Sequence, residues 1–278
     1  MNNLKYTQHF LNDHAIAEEM LNHAQINGND MVIDIGAGKG ALTSPLSRQA
    51  ERVIAVELDT NLAHSLKKSF GTNPDVKVLN LNFLDMPLPN NSFKVVANIP
   101  YNITTDIFGY LFDCPKTSFT KGVIVTEWGA AKRFTEHSTD PRIIGWNTWY
   151  DISIVNRVSP EVFSPKPSVQ SAMIKIDQRT KRLVNPHEYY NYIAFVASLL
   201  ENPKMRMRDT LKRIFSWNQI KRISRDAGIN RNYPIANLTF SQWAHCFNTM
   251  LKLIPKRMHP AMPNKYKKHY KYKKHYKR

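Results

Sequence analysis

The most restrictive feature of this chain is an alternation, sustained over the first 180 residues, between short β-branched runs and segments of helical spacing. Residues 31–35, 53–57, 76–79, 93–97 and 122–126 read as strands. Helical segments lie between them; in 61–70, for example, Leu62, Leu66 and Phe70 recur at i, i+4 and i+8. Strands that alternate with helices build a parallel sheet with crossover helices on its faces. Residues 150–158 and 169–176 alternate apolar with polar side chains and are expected to form a closing antiparallel pair. The expected fold class is therefore α/β.

Past residue 180 the strand signals stop. Segments 186–200, 206–215, 218–227 and 241–253 carry helical spacing, with boundaries at Pro186, Pro203 and Gly228. The expected division is an α/β domain over 1–180, a small all-α domain over 181–255 and a tail over 256–278. The tail repeats a Lys-Tyr-Lys-Lys-His-Tyr theme with no apolar core and is expected to be disordered until bound.

Charge follows the same division. Residues 1–180 hold 17 basic and 18 acidic side chains, 181–255 hold 12 and 4, and 256–278 hold 10 and none. The formal charge of +17 thus belongs to the last hundred residues. A near-neutral half joined to a strongly basic one suggests a catalytic or cofactor unit attached to a polyanion-binding unit. The longest apolar runs, such as 123–125, fall far short of the ~20 residues that span a bilayer. No basic segment followed by an apolar run opens the chain, and Cys114 and Cys246 form no CxxC pair. These features predict a soluble, cytoplasmic protein without membrane association. Ten scattered histidines make no ligand pair at metal spacing, so no metal is expected.

Three segments point to chemistry. Asp34-Ile-Gly36-Ala-Gly38-Lys-Gly40 follows a predicted strand and opens a helix, where glycines let the backbone turn sharply and approach a ligand closely. Glu57, at the end of the next strand, stands where an acid can accept from ribose hydroxyls. Gly36, Gly38 and Ala41 also satisfy the dinucleotide fingerprint, so these two segments leave the nucleoside cofactor open, as well as a ligand-free tight turn. The third segment, Asn98-Ile99-Pro100-Tyr101, suits an exocyclic adenine amine, whose lone pair is delocalised into the ring. Alkylating it requires acceptors on its N–H groups and an aromatic platform for the base. The Asn98 amide oxygen and a main-chain carbonyl held by Pro100 would be the acceptors, and Tyr101 the platform.

Together with Gln8-His9-Phe10-Leu11, Glu57-Leu-Asp59 and Phe163-Ser-Pro-Lys-Pro-Ser-Val169, these motifs make residues 8–253 resemble the RNA adenine-N6 dimethyltransferase superfamily. The resemblance implies a Rossmann-like class I methyltransferase domain, a helical C-terminal domain and S-adenosyl-L-methionine as cofactor. It implies that His9 and Leu11 pack over the cofactor, that Gly36 and Gly38 hold its methionine end, and that Glu57 holds its ribose. It further implies that Phe163 lines the base pocket opposite Tyr101. Where the family usually has an Asp on the cofactor adenine, this chain has Asn82, which can still accept through its amide oxygen.

Within the superfamily, Glu127-Trp-Gly-Ala-Ala-Lys132-Arg133-Phe134 and Asn98-Ile-Pro-Tyr-Asn-Ile-Thr-Thr-Asp106 look like the Erm branch. That branch methylates one adenine in the peptidyl-transferase loop of 23S rRNA and blocks macrolide, lincosamide and streptogramin B binding. The alternatives are a 16S rRNA adenine dimethyltransferase of ribosome biogenesis and a noncatalytic rRNA-binding assembly factor. A nicotinamide oxidoreductase would share the glycine turn but explains neither Asn98–Tyr101 nor the basic half. Lys132, Arg133, Arg206, Arg208, Lys212 and Arg213 are the expected RNA phosphate contacts. The expected partner is 23S rRNA, bound by a monomer with no obligate protein partner.

Overall fold

The computed structural model describes residues 9–113 and 117–264. The chain opens with β1 (Phe10–Leu11) and α1 (His14–Ala24), then alternates β2 (Met31–Ile35), α2 (Thr43–Gln49), β3 (Arg52–Glu57), α3 (Thr60–Phe70) and β4 (Val76–Asn80). After a 3-10 turn at Phe83–Asp85 come β5 (Phe93–Asn98), α4 (Thr104–Phe112), β6 (Phe119–Glu127), α5 (Trp128–Thr135) and α6 (Pro141–Trp146). Next are β7 (Tyr150–Val158), β8 (Phe163–Ser164) and β9 (Ser171–Gln178). Helices α7 (Tyr189–Leu199), α8 (Met207–Leu211), α9 (Trp217–Asp226) and α10 (Phe240–Leu253) follow.

Seven strands form one sheet in the order β4-β3-β2-β5-β6-β9-β7. From β4 to β6 every neighbouring pair is parallel, and β9 runs antiparallel to β6. The β-branched runs end up inside: Val32, Ile33, Val53, Val95, Val96, Val123, Ile124 and Val125 are all fully buried, as strands covered on both faces must be. Strand order reverses at β2, which has β3 on one side and β5 on the other. In an open α/β sheet such a reversal leaves a crevice outside the carboxyl ends of the strands. The glycine turn, Glu57 and Asn98 all stand at those ends. The α/β class with a mostly parallel sheet is as expected.

Helix α1 had no counterpart in the sequence analysis. Its signal is nonetheless present: Asp13 caps it by accepting from the Ala15 and Ile16 amides, and Ala17, Met20, Leu21 and Ala24 form one buried stripe.

The chain divides into two compact units, Met1–Thr135 with Asp151–Gln178, and Glu136–Tyr150 with Arg179–Arg278. The expected boundary near 180 therefore needs an amendment, because residues 136–150 pack with the helical unit. Ile144 of α6 enters the core formed by Tyr192, Phe195 and Val196 of α7. The Trp149 ring lies 4.5 Å from that of Tyr189, and the Leu183 amide donates to Thr148 O at 2.9 Å. These apolar side chains find their burial partners only in a segment far along the chain.

The helix expected over 206–215 shortens to α8. Beyond it the Arg213 and Ile214 amides reach back only three residues, to Thr210 O and Leu211 O, and Ser216 with Gln219 forms the capping box that starts α9. The helical unit also outlasts residue 255: Lys256–Met258 form a 3-10 turn, and the His259 ring hydrogen-bonds Ile254 O at 2.8 Å. The rest of the expected tail, from 265 onward, lies outside the described residues. No described helix is long and apolar enough to cross a membrane.

Candidate active site

A cavity of about 840 Å³ opens at the carboxyl ends of the parallel strands, within the first unit. It is lined by the glycine turn after β2, the end of β3, the segment after β4 and the Asn98–Tyr101 segment after β5.

The turn leaves β2 with Gly36 at φ +71° and Gly38 at φ +56°, left-handed conformations that a side chain disfavours. The Gly36 amide donates to Val56 O at 2.8 Å, tying the turn to β3. A Cβ on Gly38 would stand 3.0 Å from the Phe10 ring, so the glycine is needed for space as well as for conformation. The Gly38 amide donates to Glu57 Oε2 at 2.8 Å and the Asp59 amide to Glu57 Oε1 at 2.8 Å. Two backbone donors thus fix the Glu57 carboxylate at the cavity wall. Each oxygen keeps a second lone pair for a hydroxyl donor.

Behind the turn lies Asp34, 1% exposed, with Thr43 Oγ1 donating to its Oδ2 at 2.7 Å. Burial pushes its carboxyl up to about 7, the nearby Glu57 charge adds to the rise, and the Thr43 hydrogen bond opposes it. Sequence reasoning placed Asp34 in the motif without assigning it a role.

Asn98 donates from Nδ2 to His9 O at 2.7 Å, which fixes its amide and leaves Oδ1 as an available acceptor. The Ile99 amide donates to Val125 O at 3.2 Å, anchoring the segment to β6. Pro100 follows with no amide to satisfy. The Tyr101 hydroxyl pairs with Ser171 Oγ at 2.5 Å. Burial raises the phenol, the Ser171 bond opposes the shift and the Glu127 charge adds to it, so Tyr101 remains neutral. The His9 ring lies 5.7 Å from the Tyr101 ring, and its Nδ1 is 2.8 Å from Pro165 O. Thr104 Oγ1 donates to Tyr101 O at 3.1 Å, holding the backbone beneath the ring.

Asn82 also lines the cavity, at the cap of the Phe83–Asp85 turn. Its Oδ1 accepts the Leu84 amide at 3.1 Å, so its NH₂ is the group left without a described partner. The acceptor role expected of Asn82 therefore falls to one remaining lone pair, beside two unused donors.

The cavity brings together His9, Gly36, Gly38, Glu57, Asn82 and Asn98–Tyr101. Leu11 and Phe163 are not among the residues that line it. They face each other in the two-stranded ladder of β1 with β8, both 4% exposed, and pack into the core with Val158 and Met173. Phe10, which the sequence analysis left without a role, lines the cavity.

Residues 1–252 match the sequence profile of the family described as ribosomal RNA adenine dimethylase. The chain belongs to that family. It is 37% identical over 265 residues to an rRNA adenine N-6-methyltransferase of Bacillus licheniformis, covering 94% of this chain and 90% of the relative. It is 38% identical over 256 residues to one of Bacteroides fragilis, covering 91% and 96%. It is also 33% identical to a probable ribosomal RNA small subunit methyltransferase A of Methanococcus aeolicus, covering 78% and 86%. The crystal structure of 23S rRNA methyltransferase ErmE shares the fold with a TM-score of 0.79 at 24% identity, covering 87% of this chain and 99% of that one.

As a ribosomal RNA adenine dimethylase the chain is an rRNA adenine N6-methyltransferase that uses S-adenosylmethionine. The cavity fits that cofactor. Two glycines hold left-handed backbone with no Cβ to obstruct an approach, a carboxylate fixed by two amides stands in the wall, and the volume suits a nucleoside-sized ligand.

The basic residues fall into two groups. Lys132 and Arg133 are exposed on α5, and Lys132 Nζ lies 6.0 Å from the Trp128 ring. In the helical unit Arg206, Arg208 and Lys212 all share Asp209, at 3.5, 3.7 and 3.9 Å, and Arg213 pairs with Glu201 at 3.1 Å. Acids that sequence reasoning did not weigh therefore offset part of the expected RNA footprint.

Proposed function

We propose that this enzyme methylates N6 of a single adenine in the peptidyl-transferase loop of 23S rRNA, and thereby confers resistance to macrolides, lincosamides and streptogramin B. The observation that carries this reading is the ranking of relatives. Those at 36–38% identity over more than nine-tenths of this chain are named rRNA adenine N-6-methyltransferase, as are two at 29% and 27%, while small-subunit methyltransferases stand at 33% and 28%. The ErmE neighbour, described as a 23S rRNA methyltransferase, agrees with it.

When bound, S-adenosylmethionine supplies an electrophilic methyl group on a sulfonium. Gly36 and Gly38 would hold its methionine end by backbone contact and Glu57 would receive its ribose hydroxyls. Asn98 Oδ1, oriented by the bond from Nδ2 to His9 O, accepts an N–H of the adenine amine and draws the lone pair onto nitrogen. The carbonyl preceding Pro100 takes the second N–H. Tyr101 offers its ring to the flipped base, held in place by Ser171. The residues position and polarise; they need not ionise. Lys132 and Arg133 on α5, with Arg206, Arg208, Lys212 and Arg213 in the helical unit, contact rRNA phosphates.

Labelled S-adenosylmethionine offered to purified 16S and 23S rRNA, followed by primer-extension mapping, tests the assignment. A single stop in the 23S peptidyl-transferase loop is expected. Label confined to 16S rRNA would overturn it. Asn98→Ala is expected to abolish methyl transfer and spare RNA binding; retained transfer removes Asn98 from the mechanism.

A further inference from the structure

The parallel ladder between β3 and β4 ends at the pair Glu57 and Asn80, the last residues of the two strands. Strand β4 is the edge of the sheet, so no further strand steadies this corner. Beyond the ladder the chain turns through Leu58 and Asp59 into α3, and both residues line the cavity. Leu58 does so with an apolar side chain that is 51% exposed. A turn that shows such a side chain to solvent gains little rigidity from packing, so its hydrogen bonds carry its geometry.

Asn80 supplies two of those bonds. Its Nδ2 donates to Glu57 O at 3.0 Å and to Leu58 O at 3.1 Å, one hydrogen to each of two consecutive carbonyls. Carbonyl oxygens can only accept, so the NH₂ of Asn80 must face the turn. The second bond bears on the carboxylate. The peptide between Leu58 and Asp59 accepts from Asn80 at its oxygen and donates from its N–H to Glu57 Oε1 at 2.8 Å. A planar peptide moves as one body, so a group that holds its oxygen also aims its hydrogen. Accepting at the oxygen further polarises the N–H and strengthens its bond to the carboxylate. Asn80 itself is exposed and is not among the residues that line the cavity. Water could satisfy its amide equally well, so burial does not force the two bonds.

We propose that Asn80 is a positioning residue for cofactor binding, which orients the Glu57 carboxylate towards the ribose hydroxyls through the peptide between Leu58 and Asp59. The proposal rests on Glu57 as the receiver of those hydroxyls and holds for whichever rRNA is modified.

Full-length enzyme is titrated by calorimetry with S-adenosylhomocysteine and with its 2′,3′-dideoxy analogue, which offers Glu57 no hydroxyl. Asn80→Ala is expected to weaken S-adenosylhomocysteine about threefold to tenfold, the worth of one or two hydrogen bonds, and the dideoxy analogue by less than about twofold. Asn80→Asp removes both donors and sets a negative charge against two carbonyl oxygens, so a larger loss on S-adenosylhomocysteine is expected. In methyl transfer the Asn80→Ala defect should appear as a raised KM for S-adenosylmethionine with kcat retained, because the contact is made equally in the ground and transition states. In a Glu57→Gln background Asn80→Ala should cost less than in the parent, since the two residues act in one chain of bonds. RNA affinity, read by fluorescence titration with fluorescein-labelled 23S and 16S fragments across a salt series, is expected to stay unchanged. Equal losses on both cofactor analogues, or a parallel loss of RNA affinity, would mark a general disturbance of the fold and overturn the proposal. If Glu57→Gln weakens S-adenosylhomocysteine but both Asn80 variants bind it like the parent, Asn80 alone loses its role. If Glu57→Gln and the dideoxy analogue lose no affinity, the ribose role of Glu57 fails and the proposal falls with it.

Discussion

Replacing Asp34 by asparagine should stabilise the enzyme at alkaline pH and leave its stability unchanged in acid. The Asp34 carboxyl is fully buried behind the glycine turn and titrates near 7 rather than 3.8, first because of burial and then because of the Glu57 charge. The folded state therefore holds this proton more tightly than the unfolded chain. Its contribution to stability is complete below about pH 4 and is lost as pH rises towards 7, where the buried group must ionise. At ~1.4 kcal/mol per unit, the roughly three units between the two values give a loss of up to about 4 kcal/mol. The amide of the Asp34→Asn variant would keep an oxygen for the Thr43 hydroxyl, which now donates to Asp34 at 2.7 Å, but would have no charge to bury. Urea unfolding of both proteins at pH 4.5, 6 and 8 measures the difference, with other titrating groups cancelling between them. Asp34→Asn should gain about 1 kcal/mol at pH 4.5 and about 4 kcal/mol at pH 8. A difference that stays constant with pH would refute the assignment of the raised value to Asp34.

Two further substitutions probe the cavity and the basic surface. Asn82→Asp should tighten S-adenosylmethionine binding several-fold, because a carboxylate can accept both the Leu84 amide and the cofactor adenine amine, whereas the Asn82 oxygen already serves Leu84 at 3.1 Å. Calorimetry with the cofactor checks it, and equal or weaker affinity would show that the NH₂ of Asn82 makes the contact. Asp209→Asn should release Arg206, Arg208 and Lys212 from their shared carboxylate and strengthen RNA binding, with a steeper salt dependence in the same fluorescence titration. An unchanged salt dependence would remove these three cations from the RNA interface.

The sheet and the cavity wall were legible because their signals are local. β-Branched runs at regular intervals announce buried parallel strands, a glycine turn after a strand announces close backbone approach, and Asn98–Tyr101 declares acceptors beside a ring. Helix α1 is equally legible from Asp13 and the stripe Ala17, Met20, Leu21 and Ala24, whose signals are as local as those of the strands. Phe163 shows the limit. Its neighbours in sequence suggest a loop, but pairing with Leu11 across more than a hundred and fifty residues turns it into the core.

The fold class, the strand ends that hold Gly36, Gly38, Glu57 and Asn98, and the concentration of positive charge after residue 180 follow from the order of residues alone. They are local properties, because periodicity, glycine and net charge act over a few residues. Which cations meet an acid depends on the folded chain, because Arg213 meets Glu201 and Arg231 returns beside α9 through contacts that no spacing encodes. It also decided that residues 136–150 join the helical core and that Asp34 is buried beside Glu57. Burial and pairing are properties of the surroundings of a residue, and the surroundings exist only once the chain has folded.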